Sequence, residues 1–378
     1  MKEIVRRLRR YEVIDDHTLN ELIEKSPPPW ADDKWVTFYF RGDADEVRLR
    51  HFIFGLPTSQ PLVRIPNTDQ WILTVEIPPE SRVEYKFEIV HGEKGRWIQD
   101  PLNPRLAFDP FGANSVCHGE GYESPKWTQE QPDVRRGTLT DYQISSKAFG
   151  DMRHFSVYLP SRYREHRRYP LLICHDGRDY LRFASMKTAL DNLMERNEVA
   201  PLIVAFSHPG NRLDEYPDDS RHQAHIVEEL LPFLKSHFPV YQDKMKLGLM
   251  GASFGGVATL STAWRYPDVF GNLLLQSGSF AFTDIGTHSR GAAFDPVVEF
   301  MNQFRADPGK PAERAFLSCG MYETLIYENR SMLPFLQGLN MQIRYSESRD
   351  GHNWVNWRDQ LREGLSYLFP GPLWMFYE

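Results

Sequence analysis

The chain has 378 residues, 41% hydrophobic, 13% aromatic and 25% charged, with a formal net charge of −7. That length predicts two domains, and the acidic balance argues against a nucleic-acid or anionic-membrane partner. No apolar run reaches the length of a membrane span.

In chain order, residues 1–30 form a helical segment. Lys2, Arg6, Arg7, Arg9 and Arg10 make its start basic, and Ile4, Leu8, Leu19, Leu22 and Ile23 supply packing positions. Glu12, Asp15, Asp16 and Glu21 interrupt any apolar leader, so the expected location is cytoplasmic. Ser26-Pro27-Pro28-Pro29 ends the segment. From 31 to 121 the grammar is that of strands: 35–40, 47–54, 71–77 and 83–90 are aromatic, β-branched or alternating. Turn residues such as Gly42-Asp43, Pro78-Pro79 and His91-Gly92 separate them. Short alternating strands at this spacing predict an immunoglobulin-like β-sandwich, closed by an ordered loop at 97–104.

Residues 122–136 read as a linker, and 137–378 as an α/β domain. Segments 138–145 and 154–159 predict an antiparallel entry hairpin. Strands follow at 169–174, 202–206, 245–250, 272–276, 315–319 and 342–347. Helices follow at 184–196, 223–237, 257–266, 329–337 and 354–368. Such alternation gives a mostly parallel sheet covered by helices on both faces. Of the cysteines, Cys174 and Cys319 sit in apolar strand-like runs. With Cys117 they read as buried hydrophobes rather than disulfide partners or metal ligands.

The most informative stretch is Gly251-Ala252-Ser253-Phe254-Gly255, a G-x-S-x-G between an apolar strand and a helix. In that setting the pattern means a nucleophile elbow, with Ser253 on a strained turn. A serine hydroxyl needs a general base, and the base needs an orienting acid. In α/β-hydrolases the chain order is Ser, acid, His. The histidines after Ser253 are His288 and His352. His352 lies between the last strand and the last helix and is the expected base; His288 reads as surface. Glu323, just past the 315–319 strand, is preferred as the acid. Glu328 lies further along, and Asp350 is close to His352 for the usual topology. The oxyanion donors are expected to be the N–H of Phe254 and that of Arg178, in the loop His175-Asp176-Gly177-Arg178. Arg212 and Glu215 sit at a carboxyl-end loop and read as an internal ion pair shaping the pocket wall. No histidine spacing fits a zinc site.

The C-terminal two-thirds resemble the enterochelin (enterobactin) esterase branch of the esterase D superfamily, an α/β-hydrolase family. The matching pieces are Tyr158-Leu159-Pro160, His175-Asp176-Gly177, Glu229-Leu230-Leu231-Pro232 and Gly251 through Gly256. Further pieces are Pro267-Asp268-Val269-Phe270, Gln276-Ser277-Gly278-Ser279-Phe280, and Gly351-His352-Asn353-Trp354 with Trp357-Arg358. The sandwich in front, ending in Asp100-Pro101-Leu102-Asn103-Pro104, is similar to the N-terminal domain of the cytoplasmic enzymes. The resemblance implies a Ser253–His352–Glu323 triad, no cofactor, and a ferric tri-catecholate siderophore as substrate. The chain departs from the family at His175, where Leu is common. Arg212-Leu213-Asp214-Glu215-Tyr216-Pro217 is also similar to carbohydrate-acyl esterases.

Three functions follow for comparison: a siderophore esterase, a feruloyl or acetyl esterase with a sugar-binding sandwich, and a non-catalytic binding protein. A small-molecule ester is the expected partner in the first two. For an anionic siderophore, Arg178, Arg182, Arg212 and Arg349 are the candidate substrate-binding cations. The sequence specifies no oligomeric state.

Overall fold

The structure, a computed structural model, describes residues 2–283 and 288–372. It divides into two units. The first runs to Ser124 and also takes in Gly320–Glu323 and Ser348–Asn353; the second holds the rest. The sequence assigned all of 137–378 to one domain. The two loop tips depart from that because their hydrogen bonds run to the N-terminal unit.

The first unit starts with helices α1 (Lys2–Arg9) and α2 (Asp16–Lys25). Ten strands follow: β1 (Trp30–Asp32), β2 (Trp35–Arg41), β3 (Glu46–His51), β4 (Ser59–Pro61), β5 (Val63–Arg64), β6 (Gln70–Glu76), β7 (Arg82–His91), β8 (Lys94–Ile98), β9 (Leu106–Asp109) and β10 (Gly112–His118). They form two antiparallel sheets, β1-β2-β6-β5 and β4-β3-β7-β10-β9, with β8 added to β7. Val36, Phe38, Phe40 and Trp71 of one sheet share a core with Leu49, Tyr85 and Phe87 of the other. Phe38 meets Tyr85 edge-on at 4.9 Å between ring centroids. Tyr39 points from β2 to the opposite face, where Val5, Leu8, Leu19 and Leu22 of the helices cover it. Strand β2 is thus buried on both faces over 36–40, which is why Phe38, Tyr39 and Phe40 run together without alternation. Residues 1–30, set apart by sequence, are a cover for this sheet.

The second unit is built on β11 (Thr138–Ser146), β12 (Asp151–Leu159), β13 (Leu171–Cys174), α3 (Gly177–Phe183), α4 (Met186–Glu195), β14 (Ile203–Ser207), α5 (Arg212–Glu215), α6 (Ser220–Ala224) and α7 (Leu231–His237). It continues with β15 (Leu247–Ala252), α8 (Phe254–Arg265), β16 (Asn272–Gln276), α9 (Asp295–Ala306), β17 (Arg314–Gly320), α10 (Ile326–Gly338), β18 (Gln342–Ser348), α11 (Trp354–Asp359) and α12 (Leu361–Leu368). The sheet order is β11-β12-β14-β13-β15-β16-β17-β18. The entry hairpin is antiparallel, and β14, β13, β15, β16 and β17 pair in parallel. Successive strand residues go to opposite cores: Leu171 and Ile173 to one, Leu172 and Cys174 to the other. Period-two side-chain direction with both faces covered explains the unbroken apolar runs. The helix expected at 223–237 is three pieces, α6, a π-helical stretch His225–Leu230, and α7. Pro232 lacks the N–H that a regular turn requires, and the backbone widens just before it. The three cysteines are buried and none forms a disulfide. Among the described residues, no helix is long and apolar enough to cross a membrane.

Candidate active site

Ser253 links β15 to α8 with φ 58° and ψ −121°, a region that L-residues avoid. Neighbouring glycines make that turn possible. A Cβ on Gly251 would lie 2.2 Å from the Gly255 carbonyl oxygen, and one on Gly256 would lie 3.0 Å from Gly278 Cα. The backbone is tied down on both sides. Ser253 N–H donates to the Gln276 carbonyl at 3.0 Å, and its own carbonyl accepts from Gly256 and Ser279 at 3.0 and 3.1 Å. The Ser253 hydroxyl is half-buried, with Ser279 Oγ at 3.3 Å. Phe254 opens α8, so its N–H belongs to the first turn, where no intrahelical acceptor exists.

The turn after β16 supports the elbow. Asn329, fully buried on α10, donates to the Gly278 carbonyl at 2.9 Å and accepts from Gly278 N–H at 3.1 Å. Trp357 Nε1–H donates to Ser277 Oγ at 2.9 Å, and Gln276 Nε2 donates to the Trp357 carbonyl at 2.7 Å. Sequence reasoning did not assign a role to Ser279 or Asn329. The Ser277-Gly278-Ser279 turn at the end of the adjacent strand was the available signal.

Glu323 and His352 come together. His352 Nδ1 lies 2.6 Å from Glu323 Oε2, and the other carboxylate oxygen accepts from Gly320 N–H at 2.7 Å. Glu323 is buried and His352 is at the surface. A carboxylate acceptor at Nδ1 fixes the proton there and leaves Nε2 as the basic nitrogen. The competing acids are engaged elsewhere. Glu328 is ion-paired with Arg290. Asp350 pairs with buried Arg82 at 3.2 Å, and burial pushes its carboxyl up to about 6 while Arg82 pulls it back. Two further bonds hold these loop tips: Phe54 N–H donates to the Tyr322 carbonyl at 2.9 Å, and Ser81 and Tyr322 hydroxyls lie 2.6 Å apart. His288, expected at the surface, is half-buried against Asp295 at 2.9 Å.

In the loop after β13, where an oxyanion donor was expected, the left-handed residue is Asp176, with φ 53° and ψ 39°. The requirement for glycine at Gly177 is steric, because an added Cβ would lie 2.4 Å from Phe206 Cβ. His175 is buried, with both its N–H and Nδ1 at 2.9 Å from the Met250 carbonyl, and burial pushes its imidazole down to about 4. The expected Arg212–Glu215 pair does not form. Arg212 Nε contacts both Asp176 oxygens at 2.9 Å, and Glu215 pairs with Arg153 at 2.8 Å. Arg153 reaches Glu215 from the neighbouring strand β12, and Glu215 also accepts from Asn211 N–H at 2.8 Å, so Arg212 is left to the buried aspartate. The side chains of Arg178 and Arg182 are exposed. Arg349, also exposed, donates to the Pro79 carbonyl at 2.7 Å.

The chain matches the Esterase family model, described as "Putative esterase", over residues 146–368. It is 24% identical over 341 residues to iron(III) enterobactin esterase of Escherichia coli O6:H1, covering 82% of each chain. An uncharacterized Bacillus subtilis protein, YjcH, is 32% identical over 150 residues, 38% of this chain, and the match spans 62% of that protein's length. An endo-1,4-beta-xylanase/feruloyl esterase of Xylanibacter ruminicola is 24% identical over 82% of this chain and 41% of its own. Among solved structures, ferric enterobactin esterase from Salmonella typhimurium superposes with a TM-score of 0.76 at 21% identity. That superposition covers 93% of this chain and 98% of the other. A ferulic acid esterase superposes with a TM-score of 0.53 over 62% of this chain. The large superpositions establish an α/β-hydrolase fold with an N-terminal antiparallel-sheet domain, and the family match over more than half the chain settles its class: the protein belongs to the esterase family and is a carboxylic ester hydrolase.

Proposed function

We propose that the chain is a serine esterase that hydrolyses the ester bonds of a ferric catecholate siderophore in the cytoplasm. Ser253 is the nucleophile, His352 the base and Glu323 the acid. The observation that carries the triad is the Glu323–His352 hydrogen bond of 2.6 Å, formed by the loops that follow β17 and β18. Ser253 follows β15 of the same sheet, in the chain order of an α/β-hydrolase.

In this reading His352 Nε2 takes the Ser253 hydroxyl proton as Oγ attacks the ester carbonyl. The N–H groups of Phe254 and Arg178 receive the developing oxyanion. The tetrahedral intermediate collapses, and His352 returns the proton to the leaving alcohol. Water, deprotonated by the same imidazole, then releases the acid and regenerates Ser253. Glu323 holds the imidazole orientation and stabilises the imidazolium. No cofactor enters these steps.

For the substrate, support comes from the extent of the likeness. The enterobactin esterase structures match nearly the whole chain, whereas the ferulic acid esterase matches 62% of it. The N-terminal unit, read here as an immunoglobulin-like sandwich, is part of that larger match. A feruloyl- or acetyl-ester substrate is the second reading, favoured by the alignment with the Xylanibacter enzyme over 82% of this chain. A fluorophosphonate probe tests the nucleophile. Wild type should be labelled and Ser253→Ala should not; persistent labelling of the variant removes Ser253 from the mechanism.

A further inference from the structure

The loop carrying Asp176 and Arg178 is fastened to the nucleophile strand by side chains, and Arg212 is the central one. Its Nε spans both Asp176 oxygens at 2.9 Å, and its Nη2 donates to the Ala252 carbonyl at 3.2 Å. Its guanidinium lies over the rings of Tyr216 and Phe254, 5.4 and 5.8 Å from their centroids. Asp176 is two residues before Arg178, and Ala252 is two residues before Phe254. One guanidinium therefore grips both backbone segments that carry the proposed oxyanion donors. Asp176 also abuts the elbow directly, since a Cβ on Gly255 would lie 3.1 Å from its Oδ2. The Asp176 N–H donates to Tyr216 Oη at 3.0 Å, fixing the strained residue from a second side.

We propose that Arg212 is the positioning residue of the oxyanion hole, setting the distance between the Phe254 and Arg178 N–H groups rather than binding the substrate's charge. This rests on reading Ser253 as the nucleophile. A planar fork suits the task because it holds a carboxylate and a carbonyl at fixed angles, which a lysine ammonium does not. Only 2% of the Asp176 side chain is exposed, so losing Arg212 leaves a buried carboxylate without its counter-charge and frees the loop to move. Displacement of oxyanion donors by about 1 Å costs rate, not ground-state affinity.

The experiment compares Arg212→Ala, Arg212→Lys, Tyr216→Phe and Ser253→Ala on p-nitrophenyl acetate, an uncharged ester. Arg212→Ala should lower kcat by about 10- to 100-fold, with KM changed by no more than about twofold. Arg212→Lys should not recover it, whereas added guanidinium chloride below denaturing concentration should recover part of the loss in Arg212→Ala. Tyr216→Phe keeps the ring, loses one acceptor, and should lower kcat by about fivefold; it decides the matter if Arg212→Ala does not fold. Unchanged kcat on the neutral ester, with KM raised only for an anionic ester, overturns the positioning role in favour of substrate binding. Full hydrolysis by Ser253→Ala instead overturns the underlying reading of the nucleophile.

Discussion

Two residues, Ser253 with its strained backbone and Glu323 with its buried carboxylate, carry the proposed chemistry. Ser253 pays for its φ of 58° with the absence of side chains at Gly251 and Gly256. Gly251→Ala should therefore destabilise the fold by about 1–3 kcal/mol through overpacking against Gly255 and lower kcat, measured by thermal unfolding and steady-state kinetics. An unchanged melting temperature contradicts that packing. Glu323→Gln keeps the side-chain shape and loses the carboxylate that fixes the His352 proton. It should lower kcat by about 10²- to 10⁴-fold with KM little altered. The proposed catalytic residues could be named from the sequence because a short motif and the order of strands and loops point to them. The Arg212–Asp176 pair was not legible: the partners stand 36 positions apart, and Glu215, three residues from Arg212, offered a nearer acid. Only the fold shows that Glu215 is already held by Arg153.

The loops after β17 and β18 are the elements on which the proposed site depends. Arg82 holds the second of them, pairing with Asp350 at 3.2 Å and donating to Asn353 Oδ1 at 3.0 Å; its own N–H donates to the Arg349 carbonyl at 2.9 Å. Arg82 and Asp350 are both buried, so Arg82→Met should cost about 3–5 kcal/mol by stranding the carboxylate. The folded-state value of Asp350, about 6, lies above the ordinary carboxyl value. Its contribution to stability is thus fully present below about pH 4 and is lost as pH rises through about 6. Without Arg82 the carboxyl rises further, so the variant's deficit should be larger at pH 8 than at pH 5 in urea unfolding followed by tryptophan fluorescence. Equal deficits at the two pH values contradict the ion pair. The strands with continuous apolar runs were readable in sequence, 272–276 to the residue. The hairpin β9–β10 was not, because Leu106, Phe108 and Phe111 are exposed and break the alternation that marks a half-buried strand.

For the whole molecule, the net charge of −7 makes general attraction of an anion unfavourable, so recognition of the proposed siderophore has to be local. Replacing Arg178, Arg182 and Arg349 together by Gln should raise KM for a ferric tri-catecholate by about tenfold, with KM for p-nitrophenyl acetate unchanged. The wild-type KM for the siderophore should also rise with ionic strength. An equal rise for the neutral ester denies these arginines an electrostatic role. Domain class was readable from the change between strand-only and alternating strand–helix grammar. The attachment of two loop tips to the N-terminal unit was not, because hydrogen bonds between residues as distant as Ser81 and Tyr322 leave no local pattern. The central claim is tested most directly by incubating purified protein with ferric enterobactin and, separately, with a feruloyl oligosaccharide, and following the acids released by chromatography. The account predicts cleavage of the siderophore by wild type and none by Ser253→Ala; intact siderophore beside a hydrolysed feruloyl ester would contradict it.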